Sequence, residues 1–144
     1  MTVVVDSSVV VAALVDSGRE GGWAESVIEG GDLIGPEIVL AEASNTLRRL
    51  EITGSLSPLV AQSTHADLHN LHVDLYPYVP FAQRVWELRP NLTAYEAWYV
   101  AMAEALDCPL ATLDRRMARA GRTRCKFLLP RFRRTKVDRG EPAS

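Results

Sequence analysis

Four carboxylates carry the chemistry open to this chain. Asp6 follows the β-branched run Val3-Val4-Val5, and Asp114 follows Pro109-Leu110-Ala111-Thr112-Leu113, so each ends an apolar segment of strand type. Glu96 falls in the first turn after Thr93, and Glu42 lies on a helical stripe one turn beyond Ile38 and Val39. Ligands of open parallel sheets bind beyond the carboxyl ends of the strands. Acids from four segments would therefore meet at one sheet edge, where like charges raise one another's pKa. A divalent cation relieves that repulsion. Carboxylate and water oxygens suit Mg²⁺ or Mn²⁺, and no Cys and His set here has zinc spacing.

Each acid also has an ordinary structural use. Asp6 could cap the helix that follows it. Thr93 and Glu96 form the S/T-x-x-E capping box. Asp114 could cap a helix beginning at Arg115, its charge answered by Arg115 or Arg116. Glu42 could pair with Arg48 or Arg49, although that spacing is not the favoured one.

The elements that must position these residues alternate. Val3–Val5 reads as a short strand, and Ser7 and Ser8 offer caps to a helix from Val9 to just before Gly18. A second helix spans Gly22 to Ile28, and Leu33-Ile34 is a minimal strand. Pro36 suits the first turn of a helix over Glu37 to Leu50. Further segments are a helix between Pro58 and Leu71, a strand around Val73 to Tyr76, and a short helix over Phe81 to Leu88. The longest helix opens at Thr93 and runs to Leu106, before the Pro109 strand, a short helix over Arg115 to Ala120, and a last strand in Cys125 to Leu129. Strands apolar on both faces, alternating with helices, imply a central parallel sheet in a three-layer α/β/α sandwich. The domain takes up 1–130, and the basic, apolar-poor tail 131–144 is expected to be mobile.

Composition sets the setting. The 144 residues are 47% hydrophobic and 24% charged, which is the balance of an ordinary globular chain. The longest apolar run, Val9 to Val15, is too short to cross a bilayer. No basic region opens the N-terminus, so no export signal is expected. Cys108 and Cys125 then read as reduced thiols of a cytoplasmic protein. The net charge of −2 conceals a division: −11 up to Asp114, and +9 from Arg115 onward. Arg115, Arg116, Arg119 and Arg122 follow directly on Asp114, where guanidinium groups would meet the phosphates of a polyanion. His65, His69 and His72 share one helical face and read as a solvated or half-buried stripe rather than a zinc site. Trp86, Trp98 and Tyr99 read as core or dimer contacts.

The chain resembles the PIN-domain ribonucleases, and in particular the VapC toxins of bacterial toxin–antitoxin pairs. The resemblance is carried by Val3-Val4-Val5-Asp6-Ser7-Ser8, by Pro36 to Glu42 with Asn45, and by Arg84 to Arg89. It continues through Asn91-Leu92-Thr93-Ala94-Tyr95-Glu96-Ala97 into Tyr99, and ends in Leu110 to Arg116. It implies a metal-dependent endoribonuclease that cuts RNA with a metal-activated water, with Asp6, Glu42, Glu96 and Asp114 as the acidic metal site. By the same resemblance Thr112 is the neighbouring hydroxyl, and Ser7, Asn45 and Thr112 orient ligands or waters. A homodimer and a cognate VapB-type antitoxin are implied as partners. Glu96 departs from the pattern, since the resemblance leads one to expect Asp there. That departure sustains an alternative, a catalytically defective RNA-binding or regulatory module on the same fold. A phosphatase or receiver domain fits less well, because Asp6-Ser7-Ser8 lacks the second acid of a D-x-D motif.

Overall fold

Residues 1–131 are described by the structure, a computed structural model. Its framework is a five-stranded sheet in the order β3-β2-β1-β4-β5, all pairs parallel. The strands are β1 (Thr2–Val5), β2 (Asp32–Pro36), β3 (Asp74–Tyr76), β4 (Leu110–Ala111) and β5 (Phe127–Leu128). Side chains alternate between the faces of the sheet, and both sets are apolar here. Val4, Ile34 and Leu110 join one core, while Val3, Val5, Leu33 and Ala111 join another. Burial on both faces explains the continuous apolar runs and confirms the expected α/β/α sandwich.

Helices α1 (Ser7–Val15), α2 (Arg19–Gly30) and α4 (Pro58–Asn70) lie against the second core. Helices α5 (Ala82–Glu87) and α6 (Ala94–Ala105) cover the first, and α6 contributes seven consecutive buried residues from Ala97 to Ala103. Helix α3 (Val39–Ile52) reaches both, with Val39 in one core and Ala43 and Leu47 in the other. The short α7 (Arg115–Ala118) is anchored by Met117. Gly21 permits the tight α1–α2 corner, because a Cβ there would stand 1.8 Å from the Asp16 carbonyl oxygen.

Several boundaries differ from the sequence expectations. Pro36 ends β2 opposite Tyr76 rather than opening α3, and the Glu37 N–H carries the pairing one step further to the Tyr76 carbonyl. A proline is tolerated at a strand end because the ladder loses little there. Helix α1 begins at Ser7 with Asp6 as its N-cap residue, but neither serine caps it, since the Ser8 hydroxyl turns to the Asp6 carboxylate. Helix α2 starts at Arg19, three residues earlier than expected. Trp98 and Tyr99 are buried as expected, whereas Trp86 is 66% exposed with the Arg89 guanidinium stacked 4.4 Å from its ring centre. The expected tail falls outside the described residues, apart from Arg131.

Candidate metal and active site

Strand order places the site. The chain leaves β1 toward β2 and β3 on one side, then returns to add β4 and β5 on the other. The carboxyl ends of β1 and β4 therefore flank the point where the sheet reverses direction, the usual ligand position of such sheets. Asp6 follows β1 directly and Asp114 lies three residues beyond β4. Helix α3 brings Glu42 to the same place and the first turn of α6 brings Glu96. All four acids line a single open cleft of about 540 Å³.

Asp6 is the most firmly held. Its Oδ2 accepts the Thr112 hydroxyl at 2.7 Å and the Ser8 hydroxyl at 2.9 Å. Thr112, fully buried, accepts in turn from the Asp114 backbone N–H at 2.9 Å, so one hydroxyl ties the two acids' segments together. Ser8 likewise accepts from the Leu113 N–H at 3.2 Å. Burial raises the Asp6 pKa; the Thr112 and Ser8 bonds and the Ser7 backbone oppose it, and the charge of Asp114 adds to it. Glu42 accepts the Tyr99 hydroxyl at 2.5 Å. Its pKa is also raised, by burial and then by Asp6 and Glu96, with the Tyr99 bond opposing. Burial and the Glu42 bond push the Tyr99 phenol upward, so it remains a proton donor.

The other two acids serve the structural uses anticipated for them as well as lining the cleft. Asp114 caps α7, its Oδ1 accepting from the Met117 N–H at 3.0 Å, and its Oδ2 lies 3.8 Å from the Arg116 guanidinium. Glu96 completes the capping box with Thr93, while its second oxygen pairs with Arg116. Among the described residues no three His, Cys, Asp or Glu side chains stand close enough, as placed, to hold a metal. The donor set nevertheless suits one. Its oxygens are hard, and the raised pKa values of Asp6 and Glu42 record burial and repulsion that a divalent cation would relieve.

Of the remaining expected site residues, Ser7 and Thr112 belong to this cluster. Asn45 is exposed on α3 and does not line the cleft; Thr46 and Arg49 do. Arg115, Arg116, Arg119 and Arg122 are all exposed. Arg115 donates to the Pro130 carbonyl at 2.9 Å. The Arg122 carbonyl accepts from Arg84, which pairs with Glu104 eight residues past Glu96 on α6. At about 1.5 Å per residue that contact is on the order of 12 Å along the helix from Glu96. Sequence reasoning overlooked Ser8, Tyr99, Thr46 and Arg49. The pair of Tyr99 with Glu42 spans 57 positions and depends on α3 packing beside α6. Arg49, in contrast, lies at helical spacing from Asn45 and Glu42, and Ser8 stands two residues past Asp6.

Comparison with known proteins points the same way. A family model for the PIN domain matches residues 3–123. Ribonuclease VapC9 of Mycobacterium tuberculosis is 38% identical over 130 residues, covering 90% of this chain and 99% of that relative. Ribonuclease VapC1 of the same species is 35% identical over 129 residues, covering 89% and 97%. The crystal structure of VapBC2 from Rickettsia felis, bound to a DNA fragment from its promoter, matches with a TM-score of 0.60 at 15% identity. That match covers 88% of this chain and 98% of the other.

Proposed function

Because the chain belongs to the PIN-domain family, among the VapC ribonucleases, we propose that it is the endoribonuclease toxin of a toxin–antitoxin pair. The observation that carries this reading is the meeting of Asp6, Glu42, Glu96 and Asp114 in one cleft where the sheet reverses direction. In it Asp6, Glu42 and Asp114 would hold Mg²⁺ or Mn²⁺, with Glu96 as the fourth candidate. When bound, the metal supplies a water of lowered pKa and neutralises charge on the attacked phosphate. The protein's own groups prepare that centre. Thr112 and Ser8 fix the Asp6 carboxylate, Tyr99 fixes Glu42, and Ser7, which lines the cleft where Asn45 does not, is the remaining candidate to orient waters. Of the four expected arginines, Arg116, paired with Glu96 and 3.8 Å from Asp114, is the candidate to meet an RNA phosphate beside the cleft. Hydrolysis by water does not use the RNA 2′-hydroxyl and leaves a 5′-phosphate.

Two partners belong to this reading. A VapB-type antitoxin fits a chain with VapC relatives and the fold of a VapBC toxin. A homodimer fits the apolar surface around Trp98. There the buried indole N–H lacks a partner among the described residues, and Val79 and Tyr95 are exposed. No helix among the described residues is long and apolar enough to cross a membrane.

The double engagement of Glu96 favours a second reading, in which the chain binds RNA without cutting it. Incubation of RNA with the purified chain in Mg²⁺, Mn²⁺ or EDTA separates the two. The nuclease reading predicts metal-dependent fragments with 5′-phosphate ends. Bound but uncut RNA, without Mn²⁺ uptake by calorimetry, establishes the defective module.

A further inference from the structure

We infer that Arg49 is a phosphate anchor for single-stranded RNA on the α3 side of the carboxylate cleft, an inference that rests on the ribonuclease reading above. Helix α3 presents Glu42, Thr46, Arg49 and Leu50 to the cleft, at spacings of four, seven and eight residues from the acid. Helical side chains lean toward the helix N-terminus, so Arg49 reaches back toward Glu42. It is held in that posture: its guanidinium donates to the Thr46 hydroxyl at 3.1 Å, and that hydroxyl donates to the Glu42 carbonyl at 3.2 Å. Thr46 lies one helical turn, about 5.4 Å, from Glu42.

Charge makes this arrangement informative. Arg49 is the one cation lining the cleft among the described residues, yet it makes no ion pair with any of them. The acids around it are otherwise engaged, Glu42 with Tyr99 and Asp16 with the Gly18 N–H at 2.7 Å. An arginine that stands in an acidic cleft, is oriented by a neutral hydroxyl and keeps most of its five N–H donors free matches a phosphate group. Arg48, the adjacent residue, instead lines a separate depression with Glu51 and His65. Arg116 is paired with Glu96 on the α7 side. Arg49 on α3 and Arg116 on α7 thus approach the carboxylates from two different elements, and an RNA strand gripped by both runs along the acids.

The test uses the full chain in an Asp6→Asn background, which removes a central carboxylate so that RNA survives the measurement. Binding of a fluorescently labelled single-stranded RNA is followed by anisotropy across a salt series. Arg49→Ala is expected to weaken binding about tenfold and to reduce the salt slope by about 0.7, the loss of one phosphate contact. Arg48→Ala is expected to change neither, and Arg49→Lys to keep the slope while regaining only part of the affinity. Unchanged affinity and slope in Arg49→Ala overturn the anchor. So does a defect confined to antitoxin binding, which reassigns the guanidinium to the protein partner. If the Asp6→Asn parent itself binds no RNA, the ribonuclease reading fails first and the anchor fails with it.

Discussion

At the scale of single residues, Asp6 concentrates the physics of this protein. A half-buried carboxylate is kept by two hydroxyl donors, and its pKa still rises above the ordinary 3.8. Glu42 rises above its ordinary 4.5 for the same first reason. Between those ordinary values and the higher folded ones, the folded chain keeps protons that the unfolded chain has released. Stability of the metal-free protein must therefore fall as pH increases through that window, then level off. Asp6→Asn removes the Asp6 share of this dependence. At neutral pH without metal it should melt higher than the parent, by roughly 2–8 °C for each kcal/mol relieved. Thermal melts from acid to neutral pH check this, and a variant that melts lower at neutral pH contradicts it. The four acids were legible in the sequence because strand ends and helix faces follow from local periodicity. Their partners were less so. Tyr99 reads as a core aromatic until α3 and α6 are packed together, and Asn45 and Arg49 differ only by where the α3 face turns.

At the scale of elements, the connection from α7 to β5 is strained and tied down. Arg122 sits at φ 71°, a left-handed conformation that costs a non-glycine residue about 1–2 kcal/mol. Its carbonyl is held by Arg84 at 2.7 Å, and the preceding Gly121 carbonyl by Asn91 at 3.2 Å. Arg84 also grips both oxygens of Glu104, which in turn accepts the Arg124 N–H at 2.7 Å. Burial alone would raise the Glu104 pKa, but these bonds outweigh it and lower the value. Arg84→Ala strands a largely buried carboxylate and frees the connection, at a cost of about 1–3 kcal/mol. Urea unfolding measures the loss, and amide exchange over residues 122–124 should quicken. Arg84→Lys should recover only part, since an ammonium lacks the planar fork. A midpoint unchanged by Arg84→Ala contradicts the strut. The alternation of elements was plain from composition, because strands buried on both faces have no polar side to blur them. Their boundaries were not. Pro36 reads equally as the start of a helix or the end of a strand until its pairing with Tyr76 decides, and β4 is two residues long because pairing, not propensity, limits it.

At the scale of the whole molecule, function follows from where the sheet reverses. The order β3-β2-β1-β4-β5 is not written in local pattern; it depends on long-range pairing such as Val4 with both Ile34 and Leu110. Once it forms, acids distant in sequence line one cleft, and Arg116 reaches two of them, Glu96 and Asp114, from α7. The most direct test of the central claim pairs the wild-type chain with Asp6→Asn, purified alike and each shown to be folded by its melt. Mn²⁺ uptake and RNA cleavage are measured on the same preparations. The account predicts that wild type binds Mn²⁺ and cuts RNA, leaving 5′-phosphates, and that Asp6→Asn loses at least a hundredfold in cleavage and most of its Mn²⁺ affinity. Equal cleavage by both preparations would place the chemistry outside this cleft and contradict the account.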